Sequence, residues 1–260
     1  MTTSSPTSTP LIGLRVLVTR PAAQADALVA HLQAAGAEVR RLPLLTIQPP
    51  PDTATAAAQL ADQTKADLWI FTSANAVRGA QSLLDAACWQ PDQILAIGAA
   101  TAQALAALGH AAECPPADSA TSEGLLQLPR LQALAGQRIA IVTGSGGRDG
   151  LRASLQARGA MVTVIEVYRR EPVRYAPDTL AAQLDSVQAL LLTSGEALQA
   201  LHAQLPERLR ATVMQQPLLV PSARVAALAG QLGFSRVIVP AAVSNTAYLE
   251  ALGTLGIMRP

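Results

Sequence analysis

Cysteine, histidine and charge are all scarce in this sequence, and each scarcity excludes a class of protein. Cys88 and Cys114 are the only cysteines. They cannot supply a disulfide framework or a thiolate metal site, and both thiols are expected to be buried or inert. His31, His110 and His202 are scattered along the chain without the spacing of a catalytic triad or a metal site. Charged residues make up 14% of the chain, against about a quarter in an ordinary globular protein. Nineteen Lys and Arg against eighteen Asp and Glu leave a net charge of +1, which provides no electrostatic footprint for nucleic acid or for an anionic membrane. Long apolar runs are missing too. The nearest, ILAIGAATAQALAALG, is Ala-rich and interrupted by Thr101 and Gln103, so no membrane-spanning helix is expected. MTTSSPTSTP has neither a basic nor an apolar segment and reads as a disordered polar tail over residues 1–10. The expectation is a cytoplasmic protein.

The chain does have apolar bulk, 50% of 260 residues, and a pronounced internal echo. GLRVLVTRPAAQADALVAHLQAAGAEVRRLPLL lies without a gap over GQRIAIVTGSGGRDGLRASLQARGAMVTVIEVY, pairing Gly13 with Gly136 and Gly36 with Gly159. DLWIFTSANAV lies over QALLLTSGEAL, so that Thr72-Ser73 meets Thr193-Ser194. ILAIGAATAQALAALG lies over LLVPSARVAALAGQLG, each ending at a glycine that stops a helix. Short, continuously apolar runs such as residues 68–71 and 139–142 suit strands buried on both faces, and they alternate with helical segments. That alternation predicts parallel βαβ units. The duplication predicts an α/β protein of two small parallel-sheet, flavodoxin-like domains. Proline-rich stretches at residues 43–51 and 171–177 suit extended connections that carry the chain between the domains twice. The expected boundaries are a discontinuous first domain over residues 11–45 plus 173–260 and a second over 46–172.

In such sheets ligands collect beyond the carboxyl ends of the strands, where helix N-termini present free amides. The turns expected there read Thr19-Arg20-Pro21, Thr72-Ser73-Ala74-Asn75, Gly98-Ala99-Ala100-Thr101, Thr143-Gly144-Ser145-Gly146-Gly147-Arg148, Thr193-Ser194-Gly195 and Pro221-Ser222-Ala223-Arg224. They offer hydroxyls and amides and few carboxylates. Any one of them reads more readily as an ordinary helix cap; six in register favour a polyanionic ligand held by neutral donors. Arg20 and Arg148 can each meet a carboxylate. The glycine loop resembles a dinucleotide fingerprint with Glu166 at the acidic position, but Asp149 stands where the third glycine belongs. Tyr168 closes a strand just before Arg169-Arg170 and the second connection. It is read either as a core or hinge tyrosine or as a proton donor near an interdomain cleft, and the two arginines as solvated. A two-domain binder of carboxylated or phosphorylated ligands and a nucleotide-linked oxidoreductase share these features with an enzyme acting on a polyacid.

Taken together, VLVTRPAAQADALVAHLQAAGAEVRRLPLL, WIFTSANAV, AIGAATAQAL, SEGLL, IVTGSGGRDGL with ARGAMVTVIEVYRR, LLTSGEAL and VPSARVAALAGQLGF, in this order, resemble the bacterial type of the uroporphyrinogen-III synthase family. The resemblance runs from Leu14 to about Leu252. It implies two α/β domains joined by a two-stranded linker, the first built from both chain ends. It also implies cyclisation of hydroxymethylbilane to uroporphyrinogen III, with inversion of ring D and loss of water, without metal or cofactor. The implied partner is that small molecule alone, with no nucleic acid and no membrane, for a monomer in at most transient contact with hydroxymethylbilane synthase. Tyr168 matches the family's cleft tyrosine. Thr101, Ser73, Ser194 and Ser222 match its hydroxylated turns, and Gly144 and Ser145 its glycine loop. Relatives often have arginine before the first glycine of that loop, where this chain has Thr143; Arg148 is then the substitute contact.

Overall fold

A computed structural model describes residues 11–116, 119–147 and 149–255; the polar tail read at residues 1–10 and the Arg148 contact lie outside them. In chain order the strands are β1 (Arg15–Val18), β2 (Glu38–Arg41), β3 (Leu45–Gln48), β4 (Leu68–Phe71), β5 (Gln93–Ala96), β6 (Arg138–Gly144), β7 (Met161–Pro172), β8 (Ala189–Leu191), β9 (Leu218–Leu219) and β10 (Val237–Ile238). They form two sheets, ordered β10-β9-β8-β1-β2 and β3-β7-β6-β4-β5. Every pair with a defined register runs parallel, for example Leu17 with Leu190 and Ile70 with Ile141. Counted along its own strands, the first sheet has the doubly wound order 2-1-3-4-5. The second repeats 2-1-3-4 through β4–β7 and adds β3 beside β7.

Compactness divides the chain into two units: residues up to Thr46 together with those from Glu171 onward, and Ile47–Arg170. The chain therefore leaves the first unit within β3 and re-enters it within β7. Each sheet is covered on both faces, and the strand repeat of two explains how. In β4, Trp69 and Phe71 join one apolar cluster while Leu68 and Ile70 join another. In β1, Leu17 faces one cluster and Val16 and Val18 the opposite one. A strand that feeds two cores has no polar face, which is why these runs are apolar throughout. The covering helices supply their own apolar stripes: Leu28 and Leu32 of Ala22–Ala34 on one face of the first sheet, Leu198 and Leu201 of Gly195–Gln204 on the other. Each fully buried side chain of this kind contributes about 1.5–3 kcal/mol.

The helix Ala22–Ala34 and the helix Gly150–Ala157 stop at Gly36 and Gly159, with φ of 90° and 91°, left-handed values that suit glycine. Cys88 is exposed. Cys114 is half-buried, and burial followed by the Glu113 carboxylate pushes its thiol up from its ordinary value. His110 stacks on Trp89 at 5.3 Å and its Nε2 lies 3.0 Å from the Ala86 carbonyl, while His202 Nε2 lies 3.2 Å from Arg210. No helix among the described residues is long and apolar enough to cross a membrane.

Candidate active site

Helix capping shapes the rim of each unit. After β4, Ser73 caps Ala74–Leu83 by accepting the Ala76 amide at 3.1 Å. After β8, Ser194 caps Gly195–Gln204 through the Ala197 amide at 3.1 Å. After β9, Ser222 caps Ala223–Gln231 through the Val225 amide at 3.4 Å. Each serine oxygen accepts in these bonds and keeps its own O–H to donate elsewhere. The turns lie at the carboxyl ends of parallel strands, where the amides of successive helices converge.

In the second unit four of the expected residues come together. The β6–β7 register shifts at Thr143/Gly144, so that Thr143 faces Glu166 but Gly144 faces Tyr168. This bulge breaks the alternation and lets Val167 and Tyr168 share one apolar cluster. Tyr168, 5% exposed, lays its ring directly against Gly144: a Cβ on Gly144 would stand 2.4 Å from the ring carbon Cζ. The Ser145 amide donates to the Tyr168 carbonyl at 2.8 Å. The phenolic oxygen lies 3.2 Å from Ser73 Oγ and accepts from Arg170 Nη1 at 3.0 Å. Arg170 Nη2 also donates to the Ser145 carbonyl at 3.4 Å, and its guanidinium carbon stands 5.6 Å from the ring centroid. Ser145 Oγ is buried with no hydrogen-bond partner among the described residues. Thr101 occupies the first turn of Ala99–Ala106, a helix packed beside Ala74–Leu83, and is itself buried. Its counterpart in the internal alignment, Val225, is buried in the same way, so the two side chains match in shape and Thr101 adds a hydroxyl.

Arg20, Ser194 and Ser222 belong to the first unit, after the neighbouring strands β1, β8 and β9. Thr19 is buried and donates to the Leu191 carbonyl at 3.0 Å, tying β1 to β8. Arg20 beside it is half-buried. The cap Ser244, which accepts the Ala247 amide at 3.1 Å ahead of Asn245–Gly253, escaped the sequence reading. The signal was present, a serine opening SNTAYLEAL, but it lay beyond the last duplicated segment. Arg170 reads as solvated from the sequence alone, although its spacing of two from Tyr168 along a strand places both on one face.

Glu166 Oε1 accepts from the Gly146 amide at 3.3 Å. The acidic position of the apparent dinucleotide fingerprint is thereby engaged by the glycine loop itself. A cleft of about 490 Å³ in the second unit is lined by Asp52, Asp149, Glu166 and Arg152 among others. Three carboxylates against one guanidinium give this cleft the wrong sign for a polyanion. Among the described residues no group of His, Cys, Asp and Glu could hold a metal ion.

A protein-family model described as uroporphyrinogen-III synthase HemD matches residues 26–250. The uroporphyrinogen-III synthase of Escherichia coli K12 is 37% identical over 245 residues, covering 92% of this chain and all of that protein. That of Synechococcus elongatus is 36% identical over 179 residues, covering 66% of this chain and 67% of its own length. Among solved structures, a mutant uroporphyrinogen III synthase from the extremely thermophilic bacterium Thermus thermophilus superposes with a TM-score of 0.56 at 22% identity, covering 90% of this chain and 96% of that one. The enzyme from Helicobacter pylori 26695 gives 0.62 at 15% identity, covering 91% and 97%. These last two are likenesses of fold.

Proposed function

The chain belongs to the uroporphyrinogen-III synthase family, enzymes that cyclise hydroxymethylbilane to uroporphyrinogen III with inversion of ring D and loss of water, and we propose that it does so with Tyr168 as hydrogen-bond donor and its hydroxylated turns as carboxylate seats. The observation that carries this reading is the Tyr168–Ser73 pair. Two hydroxyl groups bring two protons, and their mutual hydrogen bond uses one. Ser73 Oγ already accepts the Ala76 amide and the phenol already accepts from Arg170, so the second proton has no acceptor within the pair. The departing hydroxyl of the substrate is the acceptor it suits.

In this reading the hydroxymethyl C–O bond breaks with help from the adjacent pyrrole nitrogen, leaving an azafulvene-like electrophile and a hydroxide that receives the donated hydrogen bond. The substituted carbon of ring D then attacks, and the spiro species fragments and recloses in the inverted sense. Much of that reactivity is the substrate's own; the protein contributes position. Thr101, Gly144 and Ser145, together with Arg20, Ser194 and Ser222, take acetate and propionate groups, with Arg148 an added contact, while Ser73 spends its proton on the phenol.

We also read the chain as an internal duplication whose copies, over residues 11–45 plus 173–260 and 46–172, are joined by a two-stranded linker through β3 and β7. Matched backbone angles support it: φ of 75° and 76° at Gly13 and Gly136, and 85° and 93° at Gly109 and Gly233. We read the protein as a cytoplasmic monomer that meets hydroxymethylbilane synthase only in passing.

Hydroxymethylbilane also closes spontaneously to the type I isomer, so chromatographic isomer ratio is a direct assay. Tyr168→Phe is expected to lower type III formation severalfold or more at an unchanged melting temperature. Wild-type turnover in that variant removes the phenol from the mechanism.

A further inference from the structure

We propose that Arg170 is a positioning residue for the cyclisation, fixing the direction in which the Tyr168 hydroxyl donates and strengthening that donation. This rests on Tyr168 as the donor to the leaving hydroxide and adds a residue that the sequence alone reads as solvated.

The argument begins with the chemistry of the guanidinium. Arginine has donors and no acceptor. At 3.0 Å from Arg170 Nη1, the phenolic oxygen must therefore accept. This occupies one side of the oxygen; with Ser73 Oγ, 3.2 Å away, donating its own proton to another, the phenol's proton is directed away from both. Without Arg170 the hydroxyl hydrogen can turn and donate elsewhere.

The second effect is electrostatic. As the hydroxymethyl C–O bond breaks, its electron pair leaves with the oxygen, the pyrrole nitrogen supplies the compensating pair to the carbon, and the departing hydroxide becomes water once it gains a proton. Donating to that oxygen leaves growing negative charge on the phenol, and a cation already hydrogen-bonded to the phenol stabilises it. The geometry suits arginine in particular. One planar fork reaches both the phenol and, through Nη2 at 3.4 Å, the Ser145 carbonyl, so the side chain that holds the phenol is itself held against the glycine loop. A lysine ammonium can supply the charge but not the fork. The face of β7 that carries Tyr168 also carries Arg170, two residues on, and the Gly144 position leaves the ring room to lie between them and β6.

The test compares Arg170→Met and Arg170→Lys in the wild-type and Tyr168→Phe backgrounds, with full-length protein and hydroxymethylbilane. Arg170→Met is expected to lower kcat for the type III product by about tenfold or more with KM nearly unchanged, and Arg170→Lys to recover part of the loss. In the Tyr168→Phe background Arg170→Met should cost nothing further. A bilane whose hydroxymethyl group is esterified as the acetate, a better leaving group than hydroxide, should shrink the Arg170→Met deficit, which a purely structural role would leave in place. If Arg170→Met does not fold by circular dichroism, Arg170→Lys carries the same two comparisons. Wild-type kcat in Arg170→Met, or a loss that multiplies undiminished onto Tyr168→Phe, overturns the positioning role. Wild-type kcat in Tyr168→Phe itself overturns instead the reading beneath it.

Discussion

Replacing Gly144 by alanine displaces the phenol without altering a single polar group, and the geometry sets the size of the effect. The added methyl carbon would stand 2.4 Å from Tyr168 Cζ and 2.7 and 2.8 Å from Cε2 and Cε1. Non-bonded carbons settle at about 3.5–4.0 Å, so the ring has to retreat by roughly 1 Å. It has little room to do so, being 5% exposed and packed in an apolar cluster with Val167 and Ile165. Overpacking of this kind costs about 1–3 kcal/mol. The hydrogen bonds to Arg170 and Ser73, at 3.0 and 3.2 Å, would stretch beyond useful length. A misplacement of about 1 Å at a reacting group lowers rate on the order of a hundredfold. The expected outcome is a fall of that order in type III formation, with the product shifted to type I and a lowered melting temperature. Gly150→Ala is the control: nothing lies within 4 Å of a Cβ there, and at the first position of a helix alanine should leave activity intact and stabilise by up to about 1 kcal/mol. Wild-type type III turnover in Gly144→Ala, at a wild-type melting temperature, would refute the contact between glycine and phenol.

Thr101→Val removes a hydroxyl while keeping the shape that Val225 has at the paired position, so it should shift the isomer ratio towards type I with little change in melting temperature. Ser73→Ala removes a helix cap worth about 1 kcal/mol along with the phenol's partner, and should lower both melting temperature and the type III fraction; unchanged ratios in both variants would leave the binding to backbone amides. In the first unit the Tyr248 hydroxyl is buried with no hydrogen-bond partner among the described residues. An unsatisfied buried hydroxyl costs about 1–3 kcal/mol, so Tyr248→Phe should raise the melting temperature, and a lower one would mean that the hydroxyl is satisfied. Burial pushes the Tyr248 phenol up, with the Arg20 charge opposing. A folded-state value above the unfolded one, about 10, gives stability that is complete below that pH and lost as pH rises through the folded value. Tyr248→Phe should therefore unfold at a higher pH than the parent in an alkaline titration followed by circular dichroism.

What the sequence determined by itself is whatever a single element decides locally. Residues 68–71 are apolar without a break because alternate side chains feed two cores, and a strand that does so can be recognised without knowing its neighbours. Gly36 and Gly159 mark helix ends because a left-handed residue is needed there, and Ser73, Ser194 and Ser222 mark helix starts because a hydroxyl satisfies an amide three residues on. Each of these depends on interactions within a few positions along the chain. The assembled site depends on much longer ones. Ser73 and Tyr168 are 95 positions apart, and their meeting requires the order β6-β4 beside β7, which no local signal encodes. The shift at Thr143/Gly144 that turns Tyr168 towards Gly144 is a matter of register between two strands, and a one-residue slip reverses which face a side chain occupies. Arg170, readable only as a cation at a strand end, becomes a partner of the phenol once that register is set. Glu166 likewise passes from an apparent nucleotide contact to the acceptor of the Gly146 amide. Local propensity chose the elements; the pairing of distant strands chose which side chains touch.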